Sequence, residues 1–212
     1  MTISWFGHSC FRIEAKEGSI LIDPFDKKIG LKAPKIKDDV VLVTHEHYDH
    51  NNLEGVTGEE LVVNGPGEYE RKGMAVQGIS SYHDNMQGSE RGFNTIYRIT
   101  AEDVVLCHLG DLGQARLTDE QVEHIGDVDV LFVPVGGHFT IGTKEAMEVI
   151  SQIEPKVVVP MHYKIPGLAI SELDGPEKFI KEIGLSPEKV DSLKIARKTL
   201  PIDEMKLVVF QV

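Results

Sequence analysis

Short apolar runs separated by turn residues fill the first half of the chain. Residues 3–14 and 19–23 read as two strands joined by a turn at Ala15-Lys-Glu-Gly-Ser19. Val40-Val-Leu-Val-Thr44 is short, apolar and β-branched, the pattern of a buried strand. Residues 61–64 and 74–79 flank Gly65-Pro-Gly-Glu68, a turn signal, and together predict a hairpin. Two further strands are expected over 95–100 and 104–107. A helix follows over 118–125, where Thr118 and Gln121 have the spacing of a capping box.

The rhythm changes after that helix. Strands over 128–135, over 157–159 (ended by Pro160) and over 205–212 alternate with helices over 144–153 and 176–183. No repeat, low-complexity segment or linker interrupts the pattern. It predicts one α/β domain over 1–212, with sheet as its larger component.

Composition narrows the class. The chain has 212 residues, 41% of them hydrophobic and 26% charged, which is ordinary for a globular protein. No apolar run approaches the ~18 residues of a membrane span. The start, Met1-Thr-Ile-Ser-Trp-Phe-Gly-His8, lacks the basic and apolar regions of an export signal, so a cytoplasmic location is expected. Lys and Arg number 22 against 34 Asp and Glu, a formal charge of −12 that argues against a broad nucleic-acid-binding face. Cys10 and Cys107 form no Cys-x-x-Cys pair and read as buried, reduced thiols.

The strongest chemical signal is Thr44-His45-Glu46-His47-Tyr48-Asp49-His50, directly after an apolar strand. In extended backbone His45 and His47 project to one side, while Asp49 and His50 follow where the chain turns. Imidazole and carboxylate together suit zinc and similar divalent metals. Further candidates each stand just past an apolar strand, where α/β proteins build their sites: His83, Asp111 and His162. His8 falls near the same sheet end as Asp23 by hairpin counting and is expected to line the site. His138 follows another strand and Lys164 follows His162, so both are candidate substrate contacts. His108 reads as structural, and His124, inside the predicted helix, as a surface residue.

The run His45-x-His47-x-Asp49-His50, followed by His83, Asp111 and His162, resembles the metallo-β-lactamase superfamily. Trp5-Phe-Gly-His-Ser9, Leu21-Ile-Asp-Pro24, Cys107-His-Leu-Gly-Asp111, Val133-Pro-Val-Gly136, Phe139-Thr-Ile-Gly142 and Pro160-Met-His-Tyr163 are similar to its branch of zinc-dependent hydrolases related to L-ascorbate-6-phosphate lactonase. The resemblance covers nearly the whole chain and weakens over about 165–204. It implies a four-layer αββα sandwich with the site along one sheet edge. It also implies that His45, His47 and His83 hold one metal, that Asp49, His50 and His162 hold another, and that Asp111 bridges them. Asp23 would then support ligand residues by hydrogen bonds.

The implied cofactors are two divalent ions, zinc by default, with Mn2+ or Fe2+ compatible with the same ligands. The implied activity is hydrolysis of a small anionic ester, lactone or phosphodiester by a metal-bridging hydroxide, with Asp49, Asp111 and His8 as the catalytic side chains. Two rivals remain at this level: a non-catalytic or regulatory metal-binding protein on the same scaffold, and an RNA-processing nuclease. All seven ligand positions are filled, which disfavours a decayed site. The charge balance disfavours the nuclease. A helical substrate domain of the glyoxalase II kind finds too few residues after His162.

Overall fold

The structure is a computed structural model that describes residues 1–211. Among these residues the strands form two sheets. One contains β1 (Thr2–Trp5), β2 (Phe11–Glu14), β3 (Ser19–Ile22), β4 (Val40–Leu42), β5 (Leu61–Val63) and β13 (Ser192–Lys194), in the order β13-β1-β2-β3-β4-β5. The other contains β6 (Gly67–Arg71), β7 (Met74–Tyr82), β8 (Phe93–Ala101), β9 (Val104–His108), β10 (Val130–Pro134), β11 (Val157–Met161), β12 (Pro187–Val190) and β14 (Lys206–Phe210). Its order is β12-β14-β11-β10-β9-β8-β7-β6.

Alternation of side chains along the strands explains how these sheets stack. Phe11, Ile13, Ile20 and Ile22 from the first sheet meet Val76, Tyr97, Phe132 and Val159 from the second in one buried cluster between them. The intervening residues of the second sheet, such as Leu131 and Val133, face outward into another cluster. The helices α1 (Asp119–Ile125), α2 (Thr143–Ile153) and α3 (Glu177–Ile183) contribute Ile125, Val149 and Phe179 to it. Strands buried on both faces are necessarily apolar at successive positions, which is why β10 and β11 read as continuous runs.

The expected sandwich of two packed sheets is present, with α1, α2 and α3 over the second. Over the first sheet, however, the outer layer is a 3-10 turn (Lys27–Ile29) and irregular chain, which cover Cys10, Leu21 and Phe25. A buried ion pair holds this segment down: Arg12 donates to both carboxylate oxygens of Asp38 at 2.8 and 2.9 Å and to the Lys35 carbonyl at 2.7 Å. Cys10 and Cys107 are free and buried, and burial is the main force raising both thiol pKa values, that of Cys107 to about 12.

Several expected elements are redrawn. The run 3–14 is broken by a loop at Phe6–Cys10, whose ends are tied by Phe6 N–H donating to the Cys10 carbonyl at 2.9 Å. Gly65-Pro-Gly-Glu68 is no hairpin turn, because β5 pairs with β4 in the first sheet while β6 begins in the second. The hairpin closes instead at Lys72-Gly73, where φ values of 54° and 69° give the positive-φ pair that tight hairpins need. Strand β11 runs through Pro160, because its pairing with β14 ends at Val158 and no ladder N–H is required beyond it. Strands β6, β12 and β13 were not expected. The closing strand ends at Phe210, and Val212 of its expected range lies outside the described residues.

Tyr97 joins the two sheets by a polar contact as well as by packing. Its hydroxyl donates to the Val43 carbonyl at 2.8 Å and lies 3.2 Å from that of Val63. Tyr97→Phe is expected to destabilise the protein by about 1–2 kcal/mol, because the core would lose the donor and keep the carbonyls. Urea denaturation of wild type and variant measures the difference, and an unchanged midpoint would show that the hydroxyl contributes nothing.

Candidate metal centre

Strand direction brings the candidate residues together. β1 and β3 both run antiparallel to β2, and β4 runs parallel to β3, so their C-terminal ends share one edge of the first sheet. β7 and β9 both run antiparallel to β8, and β10 and β11 run parallel to β9, so the same holds in the second. His8, Asp23 and the His45–His50 segment leave the first sheet at that edge, and His83, Asp111 and His162 leave the second.

Three of these residues have left-handed backbone: His8 (φ 55°), Asp23 (φ 47°) and His162 (φ 51°). Each conformation costs on the order of 1 kcal/mol for a side chain of this kind, so the surroundings must enforce it. The His8 carbonyl accepts from Trp5 Nε1 at 3.0 Å and from the His162 N–H at 3.1 Å, tying the two sheets at the site. Gly136 makes room for that turn, because a Cβ there would stand 2.1 Å from the His162 carbonyl oxygen.

The side chains form overlapping groups whose ligand atoms lie within 4.8 Å of one another: His45, His47 and His83; His8, Asp49, His50 and His162; and His45, His50 and Asp111. His45 and His47 do share a side, with ring centroids 4.6 Å apart, but they reach it through successive bends past the end of β4 and not through extended strand. Asp111 lies between the groups. Its Oδ2 is 3.1 Å from His162 Nε2, 3.5 Å from His83 Nε2 and 3.8 Å from His45 Nε2, while its Oδ1 is 3.3 Å from His50 Nε2. Its backbone N–H donates to Asn94 Oδ1 at 2.9 Å, which fixes the loop.

Asp23 is buried behind the cluster. One carboxylate oxygen accepts from the Thr44 N–H at 2.8 Å, and the other from the Thr44 hydroxyl at 2.8 Å and from His50 Nδ1 at 2.9 Å. His50 Nε2 is thereby aimed at the centre. His8 Nε2 lies 3.2 Å from Asp49 Oδ2 and its ring lies tilted with its centroid 4.2 Å from that of His162, so His8 belongs to the same group as three of the implied ligands.

The electrostatics favour a cation here. Desolvation, followed by repulsion from His50, pushes His45 down to about 2, and desolvation with repulsion from His162 takes His8 down to about 4. Both are neutral imidazoles with free lone pairs at neutral pH. Burial also opposes charge on His50, but the Asp111 and Asp23 carboxylates on either side outweigh it and raise its pKa well above 6.5. Burial works against ionising Asp111 and Asp49 as well. The His162 and His50 imidazoles nevertheless hold Asp111 far below the usual carboxylate range, and His8 lowers Asp49. Buried polar atoms without a protein partner include His45 Nε2, His50 Nε2 and Asp111 Oδ1, all within this cluster. Orphaned donor atoms of this chemistry, converging from several loops, fit a divalent metal.

The cluster opens into a cleft of about 230 Å³ lined by His47, Asp49 and Asp111, together with Tyr48, Arg91, Phe139 and Ile170. That is smaller than the ~300–1000 Å³ of common ligand pockets, so a small molecule is the right size for it. A larger hollow of about 470 Å³ lies between β6–β7 and α1, lined by Glu68, Gln77 and Glu120 and away from the histidine cluster. His138 is exposed and packs edge-on against Phe139 at 4.3 Å, and Lys164 is exposed with Nζ 3.3 Å from the Ser171 carbonyl. Neither lines the cleft, where Arg91 and Phe139 stand instead. Sequence reading missed these two, because an Arg in a Gly-rich loop has no periodicity to betray it. His108 is fully buried, with Nε2 3.0 Å from the Ser9 carbonyl and Nδ1 accepting from the Gly110 N–H, and His124 is exposed on α1.

Known proteins resemble this chain over most of its length. A family model described as the beta-lactamase superfamily domain matches residues 2–162. A metal-dependent hydrolase of the UPF0173 family from Methanopyrus kandleri is 30% identical over 224 residues, covering 90% of this chain and 96% of that one. One from Bacillus thuringiensis is 31% identical over 217 residues, covering 86% and 93%. A crystal structure from Thermotoga maritima, described as a proposed Zn-dependent hydrolase of the metallo-β-lactamase superfamily, has 38% identity and a TM-score of 0.80 over 99% of this chain and 97% of that one.

Two outcomes are expected from the site as built. Asp23→Asn keeps the shape but turns an acceptor into a donor facing His50 and Thr44, so zinc affinity should fall about 10- to 100-fold, measured by chelator competition. Unchanged affinity would remove Asp23 from the site's support. A metal that takes His50 Nε2 must displace the proton its two carboxylates hold there, so zinc binding at pH 7 should release about one proton or more per chain, and affinity should weaken as pH falls. Calorimetry in buffers of different ionisation enthalpy measures this, and zero release would show that His50 is neutral before metal binds.

Proposed function

This chain belongs to the metallo-β-lactamase superfamily and is one of its metal-dependent hydrolases, and from that premise we propose that it hydrolyses a small anionic ester, lactone or phosphodiester at a binuclear centre. His45, His47 and His83 would hold one divalent ion, and Asp49, His50 and His162 the other, with Asp111 shared. Zinc is the expected metal, and manganese or iron suits the same donors. The carrying observation is the position of the Asp111 carboxylate, within 3.1–3.8 Å of imidazoles from both groups. Bound divalent ions supply Lewis-acid polarisation and lower the pKa of water from 15.7 to about 7.

The chain's own residues have distinct tasks in this reading. Asp23 orients His50 through Nδ1 and locks its tautomer. His8 is neutral, and the 3.2 Å contact from its Nε2 positions the Asp49 carboxylate. Asp49 is ionised and keeps its side chain 14% exposed toward the cleft, so its carboxylate can accept a hydrogen bond from an attacking water there. Burial of Asp111, His45 and His50 keeps bulk water from screening the charges. Tyr48, Phe139 and Ile170 give the cleft an apolar wall for the rest of the substrate.

Elemental analysis of protein purified without chelator or His tag should give about two divalent ions per chain. His47→Ala and Asp111→Ala should each lower that number. A panel of lactones, thioesters, esters and phosphodiesters should show turnover that chelation abolishes and zinc or manganese restores. Full metal content and full activity in either variant would overturn the assignment. Full metal loading with no turnover across the panel would instead favour a metal-binding protein without catalysis.

A further inference from the structure

The loop that follows His83 is built around one carboxylate. Asp84 accepts four backbone N–H groups, from Met86 (2.7 Å), Gly88 (2.8 Å), Glu90 (3.0 Å) and Arg91 (2.7 Å). The loop closes where the His83 N–H donates to the Gly92 carbonyl at 3.1 Å and the Gly92 N–H donates to that of Gly88 at 3.0 Å. Arg91 is therefore anchored at its own backbone, on a loop rooted beside a residue of the metal centre. Its guanidinium carbon lies 4.8 Å from the Phe139 ring centroid, across the cleft mouth on the loop after β10.

Arg91 is the one Lys or Arg among the described residues that line this cleft. Among the described residues its guanidinium makes no ion pair and no hydrogen bond. In a chain with 34 acidic residues against 22 basic ones, a guanidinium held in place without a carboxylate partner stands out. A guanidinium whose carbon lies over an aromatic ring keeps N–H donors to offer, and paired guanidinium N–H groups match the geometry of an oxyanion. Arg91 and Phe139 line the same cleft as Asp49, Asp111 and His162.

We propose that Arg91, held against Phe139, is the specificity-determining residue of this cleft: it binds an oxyanion, carboxylate or phosphate, carried by the substrate apart from the bond that is cleaved. The proposal rests on the hydrolase reading for the word substrate, but the anion site itself is tested by binding. The small cleft volume requires the anionic group to sit on a short arm. Tyr48 and Ile170 accept the apolar portion between the two ends.

The test is calorimetric titration of the zinc-loaded full chain with 3-phenylpropanoate, phenylphosphonate and the neutral 3-phenylpropanamide. Any contact of the anions with metal is common to wild type and variant, so the difference isolates Arg91. Arg91→Gln is expected to weaken at least one anion about 10- to 100-fold and to leave the amide within about twofold. Arg91→Lys, which keeps the charge but loses the planar fork, should fall between. Loss of 3-phenylpropanoate binding alone assigns a carboxylate, and loss of phenylphosphonate binding alone assigns a phosphate. The proposal is overturned if Arg91→Gln binds both anions as wild type does, or if it loses the amide equally. It is also overturned if wild type prefers neither anion to the amide. Thermal melting of each variant checks that the exposed substitution leaves the fold intact. Failure of the hydrolase reading would appear separately, as absence of ester turnover by protein that still binds the anion through Arg91.

Discussion

The buried carboxylate of Asp111 sets the terms for everything around it. Removing an ionised carboxylate from water costs several kcal/mol unless partners compensate it. Here compensation comes from imidazoles that converge from three separate loops, and their orphaned nitrogens suit a divalent cation. His50 shows the balance most clearly. It stands between Asp23 and Asp111 and is held charged by them against the penalty of burial. Neutral His45 and His8, by contrast, offer lone pairs. A site of this kind differs from a hydrophobic pocket, because its buried carboxylates favour positive charge at the centre.

That demand explains why the centre sits where two sheets meet. One sheet delivers His8, Asp23 and the His45–His50 segment, and the other delivers His83, Asp111 and His162. Neither sheet alone supplies all the residues of this cluster, so it forms only when the apolar faces of both are packed together. The ties across the seam are backbone contacts, such as His162 N–H to the His8 carbonyl and Thr95 N–H to the Thr44 carbonyl. Left-handed backbone at His8, Asp23 and His162 is strain that these ties enforce, and it points the imidazoles inward before any ligand arrives.

Much of this was legible in the sequence, for identifiable reasons. Apolar runs such as 128–135 and 157–159 identified themselves because strands buried on both faces tolerate few polar residues. The capping box at Thr118 and Gln121 marked its helix, and it is present with both reciprocal bonds. The His45–His50 segment was conspicuous because so many ligand types rarely follow a buried strand by chance. Other features had no local signature. The chain crosses between sheets at Gly65-Pro66, yet glycine and proline mark a hairpin turn equally well. Strands β12 and β13 are short and largely solvated, and tertiary pairing makes them strands.

The sequence by itself determined the fold class, the alternation of apolar faces and the chemistry of the candidate ligand residues, because these depend on residue type and short-range period. Tertiary structure alone decided which side chains face the centre. It grouped His8 with Asp49, His50 and His162, placed His138 and Lys164 outside the cleft lining, and put Arg91 against Phe139 although the two lie far apart in the chain. The physical reason is that the direction of a loop side chain is set by contacts with distant loops. His83 and Gly136 owe their positions to strand order and close backbone approach, and neither of these leaves a mark on the residues nearby in sequence.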